Sequence, residues 1–132
     1  MKQPTKPLID LNEIFDMQAE LNSRVIKEYK DIHKSSTGRH HWSLQFSRAM
    51  QQELSEFIDC FPWKWWASYQ QEDRQNARVE IVDMLHFLVS MAQVQGMTAE
   101  DLFDAFKKKM EINHQRQDSG YTEKDENDCK DV

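Results

Sequence analysis

Hydrophobic positions recur every three or four residues through most of the chain, which is the spacing of amphipathic helices. The first such stretch begins near Leu8 or Asp10 and is predicted to continue to about Lys34. The polar residues 35–41 are predicted to form a loop with Gly38 as its pivot. No segment alternates long enough to predict a strand, so we expect an all-α fold.

Three further helices are predicted after this loop. Their approximate ranges are 42–60, 72–94 and 98–117. Pro62 stops the first of them, and Gly96 provides a left-handed cap after the second. Thr98 and Asp101 have the spacing of a capping box at the start of the last helix, and Gly120 ends it. The elements therefore predict a bundle of four to five helices.

Length and composition are consistent with a small helical domain. A chain of 132 residues can build one core, and only three Gly and three Pro leave little material for turns. We predict one domain over residues 1–120 and an acidic, solvated tail over residues 121–132. No apolar run reaches about 18 residues, so no membrane span is expected.

Charge and cysteine usage exclude some classes of partner. The net charge of −6 argues against nucleic-acid binding, which needs a basic surface. The N-terminus lacks the apolar segment of a secretory signal. Cys60 and Cys129 show no metal-ligand spacing, and we interpret them as reduced thiols of a cytoplasmic protein.

The third helix has an unusual distribution of polar residues. Between residues 79 and 91 the only polar side chains are Glu80, Asp83, His86 and Ser90, and they share one stripe of the helix. A surface helix normally shows an apolar stripe on a polar cylinder, which is the reverse. We therefore predict that this helix is buried on most sides and that its polar stripe lines either a cavity or a partner interface. The surplus of apolar faces also indicates a homodimer.

Two acidic pairs suggest a metal site. Glu53 and Glu56 lie three residues apart, as do Glu80 and Asp83, so each pair shares one face of a helix. Four carboxylates on two adjacent helices form an all-oxygen site suited to Mg²⁺, with Mn²⁺ as the alternative ion. For Glu53 and Glu56 alone, ordinary solvated residues are the competing interpretation. A di-iron site is disfavoured because neither Glu53 nor Glu80 begins a Glu-x-x-His motif.

Four other residues are candidates for contacting a base or sugar. Gln18 and Asn22 lie four residues apart on the first helix, and their amides offer both donors and acceptors. His86 follows Asp83 by one turn and either faces the site or is a structural histidine. Trp63 begins an aromatic segment in which two of three tryptophans are expected in the core, while one indole is a candidate stacking wall.

The end of the fourth helix carries a cluster of candidate phosphate ligands. Lys109, Asn113 and Arg116 follow one another at helical spacings of four and three, and Tyr121 comes after the glycine that ends the helix. The two cations either complement the helix dipole or clamp phosphates, arginine through its fork and lysine as a point charge.

Together these motifs resemble those of a known superfamily. Glu53-x-x-Glu56, 23 intervening residues and Glu80-x-x-Asp83 are similar to the signature of the all-α nucleoside triphosphate pyrophosphatases, which include MazG-type enzymes, dCTP pyrophosphatases and dimeric dUTPases. Four segments resemble the dimeric dUTPase branch, namely Gln18–Asn22, Glu56–Trp66, Glu80–Phe87 and Lys109–Tyr121.

The resemblance implies a role for each candidate residue. The carboxylates would bind Mg²⁺, with Glu53 also helping to activate water. The uracil and deoxyribose would be surrounded by Gln18, Asn22, Trp63 and His86. The sugar and phosphates would be held by Lys109, Asn113, Arg116 and Tyr121.

The implied activity is the hydrolysis of dUTP, and of dUDP, to dUMP by a homodimer. The chain has no room for the helical insertion that many dimeric dUTPases carry, which weakens the expectation of a closing lid and of strict base selectivity. One alternative is a related enzyme acting on dCTP or a modified deoxynucleotide. The other is a non-catalytic helical dimer that binds nucleotide or a partner protein.

Overall fold

The computed structural model describes residue 5, residues 8–120, residues 122–123 and residues 125–132. Within these residues the secondary structure is helical and no strand occurs, which confirms the all-α prediction. The helices are α1 (Leu11–Val25), a 3₁₀ helix (Tyr29–Lys34), α2 (Ser36–Asp59), α3 (Arg74–Val94) and α4 (Ala99–Ser119). None of the helices in this part of the chain has the length and apolar character that a membrane crossing requires.

Two compact units make up the chain, Met1–Gly96 and Met97–Val132. The first contains α1, the 3₁₀ helix, α2 and α3, and the second contains α4 and the C-terminal segment. The single domain predicted for residues 1–120 stays a prediction.

The first predicted helix is wrong in its C-terminal third, because α1 ends at Val25. Ile26 has extended backbone angles (φ −118°, ψ 112°), and Glu28 adopts a positive φ of 57° before the 3₁₀ helix begins. The break is followed by Tyr29, whose side chain enters the core. Tyr29 is 5% exposed and donates its hydroxyl to Oε1 of Gln93 at 2.7 Å. A continuous α-helix was predicted because the apolar spacing itself continues to residue 32.

The predicted loop at residues 35–41 is also wrong, because α2 begins at Ser36. Ser35 caps the helix and accepts a hydrogen bond from the Gly38 amide at 3.1 Å. A Cβ added at Gly38 would lie 2.8 Å from the carbonyl oxygen of Ile32. The glycine therefore permits a close approach between the first turn of α2 and the 3₁₀ helix, and it is not a pivot.

Helices α2 and α3 form an antiparallel pair that runs through the first unit. At one end Nε2 of Gln95 donates to Oγ of Ser43 at 2.8 Å, and at the other Nδ2 of Asn76 donates to Sγ of Cys60 at 3.3 Å. The buried core at the first of these ends is formed by Tyr29, Phe46 and Val94, with Ala19, Ile26, Ile32, Trp42, Phe87 and Met91 packed around it. This pairing is what brings the two acidic pairs side by side.

The burial of α3 differs from the prediction. Its buried positions include the polar residues Glu80 and Ser90, whereas Asp83 is half-buried and His86 is exposed, so only part of the polar stripe faces the interior. Five of its large apolar residues are substantially exposed in the single chain, at between 41% and 53%, namely Val79, Ile81, Val82, Leu85 and Leu88. The expectation that α3 is buried on most sides is therefore wrong for one copy of the chain. Ser90 turns inward because its Oγ accepts a hydrogen bond from Asn22 of α1.

In the second unit the predicted helix boundaries are confirmed. Thr98 Oγ1 accepts from the Asp101 amide at 3.1 Å, and Asp101 Oδ2 accepts from the Thr98 amide at 2.9 Å, forming the capping box. Gly120 ends α4 with a φ of 61°. The tail is not wholly solvated, because Asp128 and Cys129 lie half-buried against polar groups of α4.

Candidate functional site

Three of the four predicted carboxylate ligands converge between α2 and α3. Glu53, Glu80 and Asp83 each place a carboxylate oxygen within 4.8 Å of the others. Glu80 is only 6% exposed, whereas Glu53 and Asp83 are half-buried. The arrangement follows from helix geometry, because each acid lies one turn from its partner on the helix face at which α2 and α3 meet.

This cluster holds polar atoms whose hydrogen-bonding capacity is unused. Oε2 of Glu53 and Oε2 of Glu80 are buried and have no hydrogen-bond partner. Hydrogen bonding with Glu80, burial, and the nearby Glu56 raise the pKa of Glu53 to about 8. Adjacent buried carboxylates cannot all ionise unless a positive charge compensates them. An all-oxygen donor set with unused lone pairs fits a hard divalent cation such as Mg²⁺ or Mn²⁺.

Glu56, the fourth predicted ligand, lies outside the cluster of three. It is exposed and accepts a long hydrogen bond of 3.5 Å from Nε2 of Gln52. It is nevertheless close enough to Glu53 to contribute to the raised pKa of that residue. A cavity of about 390 Å³ opens beside the cluster, lined by Glu56, Asp59, Cys60, Asp73, Asn76 and Glu80.

Asn76 is a residue of this region that the sequence interpretation missed. Its Nδ2 donates to Oε1 of Glu80 at 3.4 Å and to Sγ of the buried Cys60 at 3.3 Å. One oxygen of Glu80 is thereby held while Oε2 remains unpaired. The spacing of four residues between Asn76 and Glu80 was visible in the sequence, but a polar residue in a first helical turn has no distinctive signature.

Gln18, Asn22 and His86 lie together between α1 and α3. Gln18 donates through Nε2 to Oδ1 of Asn22 at 3.0 Å, and Asn22 donates through Nδ2 to Oγ of Ser90 at 2.9 Å. Nδ1 of His86 is hydrogen-bonded to Oε1 of Gln18. The amides of Gln18 and Asn22 are 6% and 7% exposed, so they belong to a buried network, and Gln18 also lines a groove beside it.

Ser90 and Gln93 extend this network and were not predicted as site residues. Ser90 is fully buried and donates its hydroxyl to the carbonyl oxygen of His86 at 2.7 Å. Gln93 accepts from Tyr29 and donates through Nε2 to the carbonyl oxygen of Phe15 at 2.8 Å. Ser90 was detectable as a member of the polar stripe, whereas the contact of Gln93 with Tyr29 depends on the unpredicted break after α1.

A groove of about 480 Å³ runs along α1 and α3 beside this network. Gln18, His86 and the ion pair of Glu20 with Arg24 supply polar groups to its wall. Its apolar wall is formed by Ile14, Met17, Leu21, Val82 and Leu85. The groove is therefore a mostly apolar surface with a few fixed polar groups, which is the usual character of a site for a small organic ligand.

Trp63 lies at the edge of the acidic cavity. Its indole Nε1 donates to Oδ1 of Asp59 at 2.9 Å, and its ring stands at right angles to that of Trp66 with centroids 5.9 Å apart. Trp63, Trp65 and Trp66 are 48%, 89% and 61% exposed. The expectation that two of these tryptophans lie in the core is wrong, because the rings of this connection pack on one another.

The predicted phosphate ligands of the second unit already have partners in the C-terminal segment. Arg116 donates from Nε and Nη2 to the two carboxylate oxygens of Asp128 at 2.7 and 2.6 Å. This fork lowers the pKa of Asp128. Lys109 donates through Nζ to Sγ of Cys129 at 2.9 Å. Asn113 is exposed, and Tyr121 lies outside the described residues.

The fold and the acidic cluster define an all-α protein with a candidate centre for a divalent metal ion. A family model described as dUTPase matches residues 10–94, which cover α1 to α3 and both acidic pairs. The chain belongs to this all-α dUTPase family.

A curated relative adds a second comparison. The chain is similar to the dCTP pyrophosphatase of Enterobacteria phage T4, with 40% identity over 50 residues. The similarity covers 38% of this chain and 29% of the phage protein, so the chain spans less than a third of the length of that relative. No solved structure matches the chain significantly.

Proposed function

We propose that this protein is a divalent-metal-dependent nucleotide pyrophosphatase that hydrolyses dUTP to dUMP and pyrophosphate. The observation that carries the proposal is the cluster of Glu53, Glu80 and Asp83, in which two buried carboxylate oxygens have no partner. This cluster belongs to a chain of the dUTPase family, and it lies within the matched residues.

The acidic cluster would hold the metal ion. Glu53, Glu80 and Asp83 provide its oxygen ligands, and Glu56 extends the negative surface beside them. When bound, Mg²⁺ would neutralise phosphate charge and lower the pKa of a coordinated water. Mg²⁺ is our first choice because it takes oxygen ligands and shares its coordination shell with substrate phosphates. Mn²⁺ is the alternative ion.

We assign to Glu53 the uptake of a proton from the attacking water. The water oxygen forms a bond to phosphorus, the bond to the pyrophosphate leaving group breaks, and the water proton passes to a carboxylate. Glu53 suits this role because it is the member of the cluster that α2 supplies opposite Glu80 and Asp83, and its buried Oε2 has no hydrogen-bond partner.

Gln18, Asn22 and His86 would read the base in the groove between α1 and α3. They are the polar groups that the first unit brings together beside its apolar wall. Trp63 would contribute from the edge of the acidic cavity, where its ring is about half exposed. The related substrate dCTP is the second candidate, because the phage relative is a dCTP pyrophosphatase.

Lys109, Asn113, Arg116 and Tyr121 would hold the sugar and phosphates. For Arg116, a phosphate would have to replace the Asp128 carboxylate that the guanidinium now binds. Guanidinium can bind either group, because carboxylate and phosphate both accept its fork of two hydrogen bonds. The cytoplasmic location predicted from the two free thiols, Cys60 and Cys129, stays a prediction.

A homodimer would cover the apolar surface of the first unit. Ile81 and Leu88 lie about two turns apart on α3, are 53% and 45% exposed, and do not line the groove beside α1. We expect Ile81→Glu to shift the protein towards monomer in sedimentation velocity experiments, because it places a charge in an apolar interface. Leu44→Glu is the matched control, since Leu44 on α2 is 59% exposed. Equal dimer fractions in both variants would contradict this interface.

A nucleotide panel tests the proposed activity. Purified protein is incubated with dUTP, dUDP, dCTP, dTTP and dATP, with Mg²⁺ or with EDTA, and the products are separated by ion-exchange chromatography. We expect dUMP and pyrophosphate from dUTP only when Mg²⁺ is present. Failure to hydrolyse any of these nucleotides would refute the proposal, and preferential formation of dCMP would select the second candidate.

A further inference from the structure

Four side chains between α1 and α3 form one continuous chain of hydrogen bonds whose direction is set at one end. Ser90 donates its hydroxyl to the carbonyl oxygen of His86 at 2.7 Å. Because a carbonyl oxygen can only accept, the single hydroxyl proton of Ser90 is committed to this bond. Oγ of Ser90 is therefore left as an acceptor, and it receives Nδ2 of Asn22 at 2.9 Å.

The two amides of Asn22 and Gln18 continue the same order of donors and acceptors as far as the ring of His86. With Nδ2 of Asn22 facing Ser90, its Oδ1 accepts from Nε2 of Gln18 at 3.0 Å. Oε1 of Gln18 then faces Nδ1 of His86. Since an amide oxygen only accepts, Nδ1 carries the hydrogen of the neutral ring and Nε2 carries a lone pair.

The burial of the chain makes the reverse direction unfavourable. Ser90 is fully buried, and Gln18 and Asn22 are 6% and 7% exposed, so water cannot readily replace a lost partner. Rotating one amide alone would place donor against donor at one of its contacts, and rotating both would require the Ser90 hydroxyl to leave the carbonyl oxygen of His86. His86 itself is exposed, and none of the hydrogen bonds of the described residues uses its Nε2.

We infer that Ser90 is a positioning residue for base selection, acting through Asn22 and Gln18 to present Nε2 of His86 as a hydrogen-bond acceptor in the groove. An acceptor placed opposite the ring N3 favours a base that carries a hydrogen there, and the amino hydrogens of cytosine lie at a different position of the pairing edge. Uracil carries a hydrogen on N3, whereas N3 of cytosine is itself an acceptor. The inference rests on the proposed function and selects dUTP over dCTP within it, because a site built around one hydrogen bond rejects the analogue that cannot make it.

The tautomer of His86 and the substrate preference test the inference together. Nitrogen-15 NMR of the imidazole is recorded over a pH series, and the tautomer is read from the neutral form of the ring. We expect the Nδ1–H form in the wild type and a mixture of tautomers in Ser90→Ala. We also expect the ratio of kcat/KM for dUTP to that for dCTP to fall about tenfold in Ser90→Ala, the effect of losing one hydrogen bond of ordinary strength.

Two further variants separate this role from a merely structural one. Ser47→Ala is the matched control, because the Ser47 hydroxyl also donates to a carbonyl four residues earlier but does not belong to the chain. It should retain both the tautomer and the substrate ratio. Ser90→Thr keeps the hydroxyl and should lie closer to the wild type than Ser90→Ala.

The inference is overturned by an Nε2–H tautomer in the wild type, by a wild-type preference for dCTP, or by an unchanged ratio in a folded Ser90→Ala variant. The wild-type spectrum alone determines the direction of the hydrogen-bond chain, so this part of the test does not depend on whether Ser90→Ala folds. A wild type with the Nδ1–H tautomer that hydrolyses no nucleotide would refute the proposed function while leaving the direction of the hydrogen-bond chain intact, and it would remove the basis for base selection.

Discussion

The acidic cluster of the first unit and the cationic cluster of the second are both proposed to contact the nucleotide. They differ in whether their charged groups already have partners. Glu53 and Glu80 are close together and each has a buried oxygen without a partner. Lys109 and Arg116 are already engaged, by Cys129 and by the carboxylate of Asp128. The first cluster therefore favours the addition of a cation, whereas in the second Arg116 would have to release the Asp128 carboxylate before it could bind a phosphate.

Removing the Glu53 carboxylate should have the largest effect. We expect Glu53→Gln to lower kcat for dUTP by about 100- to 10 000-fold, because it removes both a metal ligand and the assigned proton acceptor. Glu13→Gln, the same change at an exposed position on α1, should keep the wild-type rate. Steady-state release of pyrophosphate measures both, and an undiminished rate in Glu53→Gln would rule out the assigned role.

Loosening the support of Glu80 should weaken metal binding rather than turnover. In Asn76→Leu the hydrogen bonds to Glu80 and Cys60 are lost, and we expect the apparent metal affinity to fall about 10- to 100-fold. At saturating Mg²⁺ the kcat should stay within a few fold of wild type. The neighbouring exposed Gln75 gives the control Gln75→Leu. Equal metal affinities in the two variants would show that Asn76 has no such role.

The stability of the metal-free protein should depend on pH through Glu53. Its pKa in the folded state is about 8, above the ordinary value of 4.5, so the folded state binds more protons between these values. The free energy of unfolding must then decrease as pH rises from 4.5 to 8. Urea unfolding in EDTA should show a larger decrease in the wild type than in Glu53→Gln. Identical pH profiles of the two proteins would contradict the raised pKa.

The smallest expected effect concerns the ion pair between Arg116 and Asp128. Asp128→Asn weakens the fork to Arg116, and we expect the KM for dUTP to fall about two- to fivefold, the range of a partly exposed ion pair. Asp131→Asn makes the same charge change at an exposed position whose side chain bonds to no described residue. If both variants keep the wild-type KM, the tail does not compete with substrate.

The acidic cluster was predictable from the sequence because its geometry is local. Glu80 and Asp83 share a helix face by spacing alone, and an antiparallel pair of long helices is enough to bring Glu53 beside them. The boundaries of α4 were predictable for the same reason, since Thr98, Asp101 and Gly120 act within one turn.

The remaining features depend on contacts between distant residues. The break after Val25 is stabilised by Tyr29, whose partner Gln93 lies 64 residues away. Likewise, the pairing of Arg116 with Asp128 requires the chain to turn back after α4, and an acidic composition indicates only a tail that repels itself. Periodicity carries no information about either contact.

The central claim is that the partnerless carboxylates form a divalent metal centre, and calorimetric titration of the metal-free protein with Mn²⁺ tests it most directly. Titrations near pH 7 in two buffers of different ionisation enthalpy report both binding and the protons released. The account predicts that wild type binds Mn²⁺ with release of a proton, because Glu53 is largely protonated below its pKa of about 8, and that Glu80→Gln binds at least tenfold more weakly. Absence of binding, or binding of equal strength in Glu80→Gln, would contradict it.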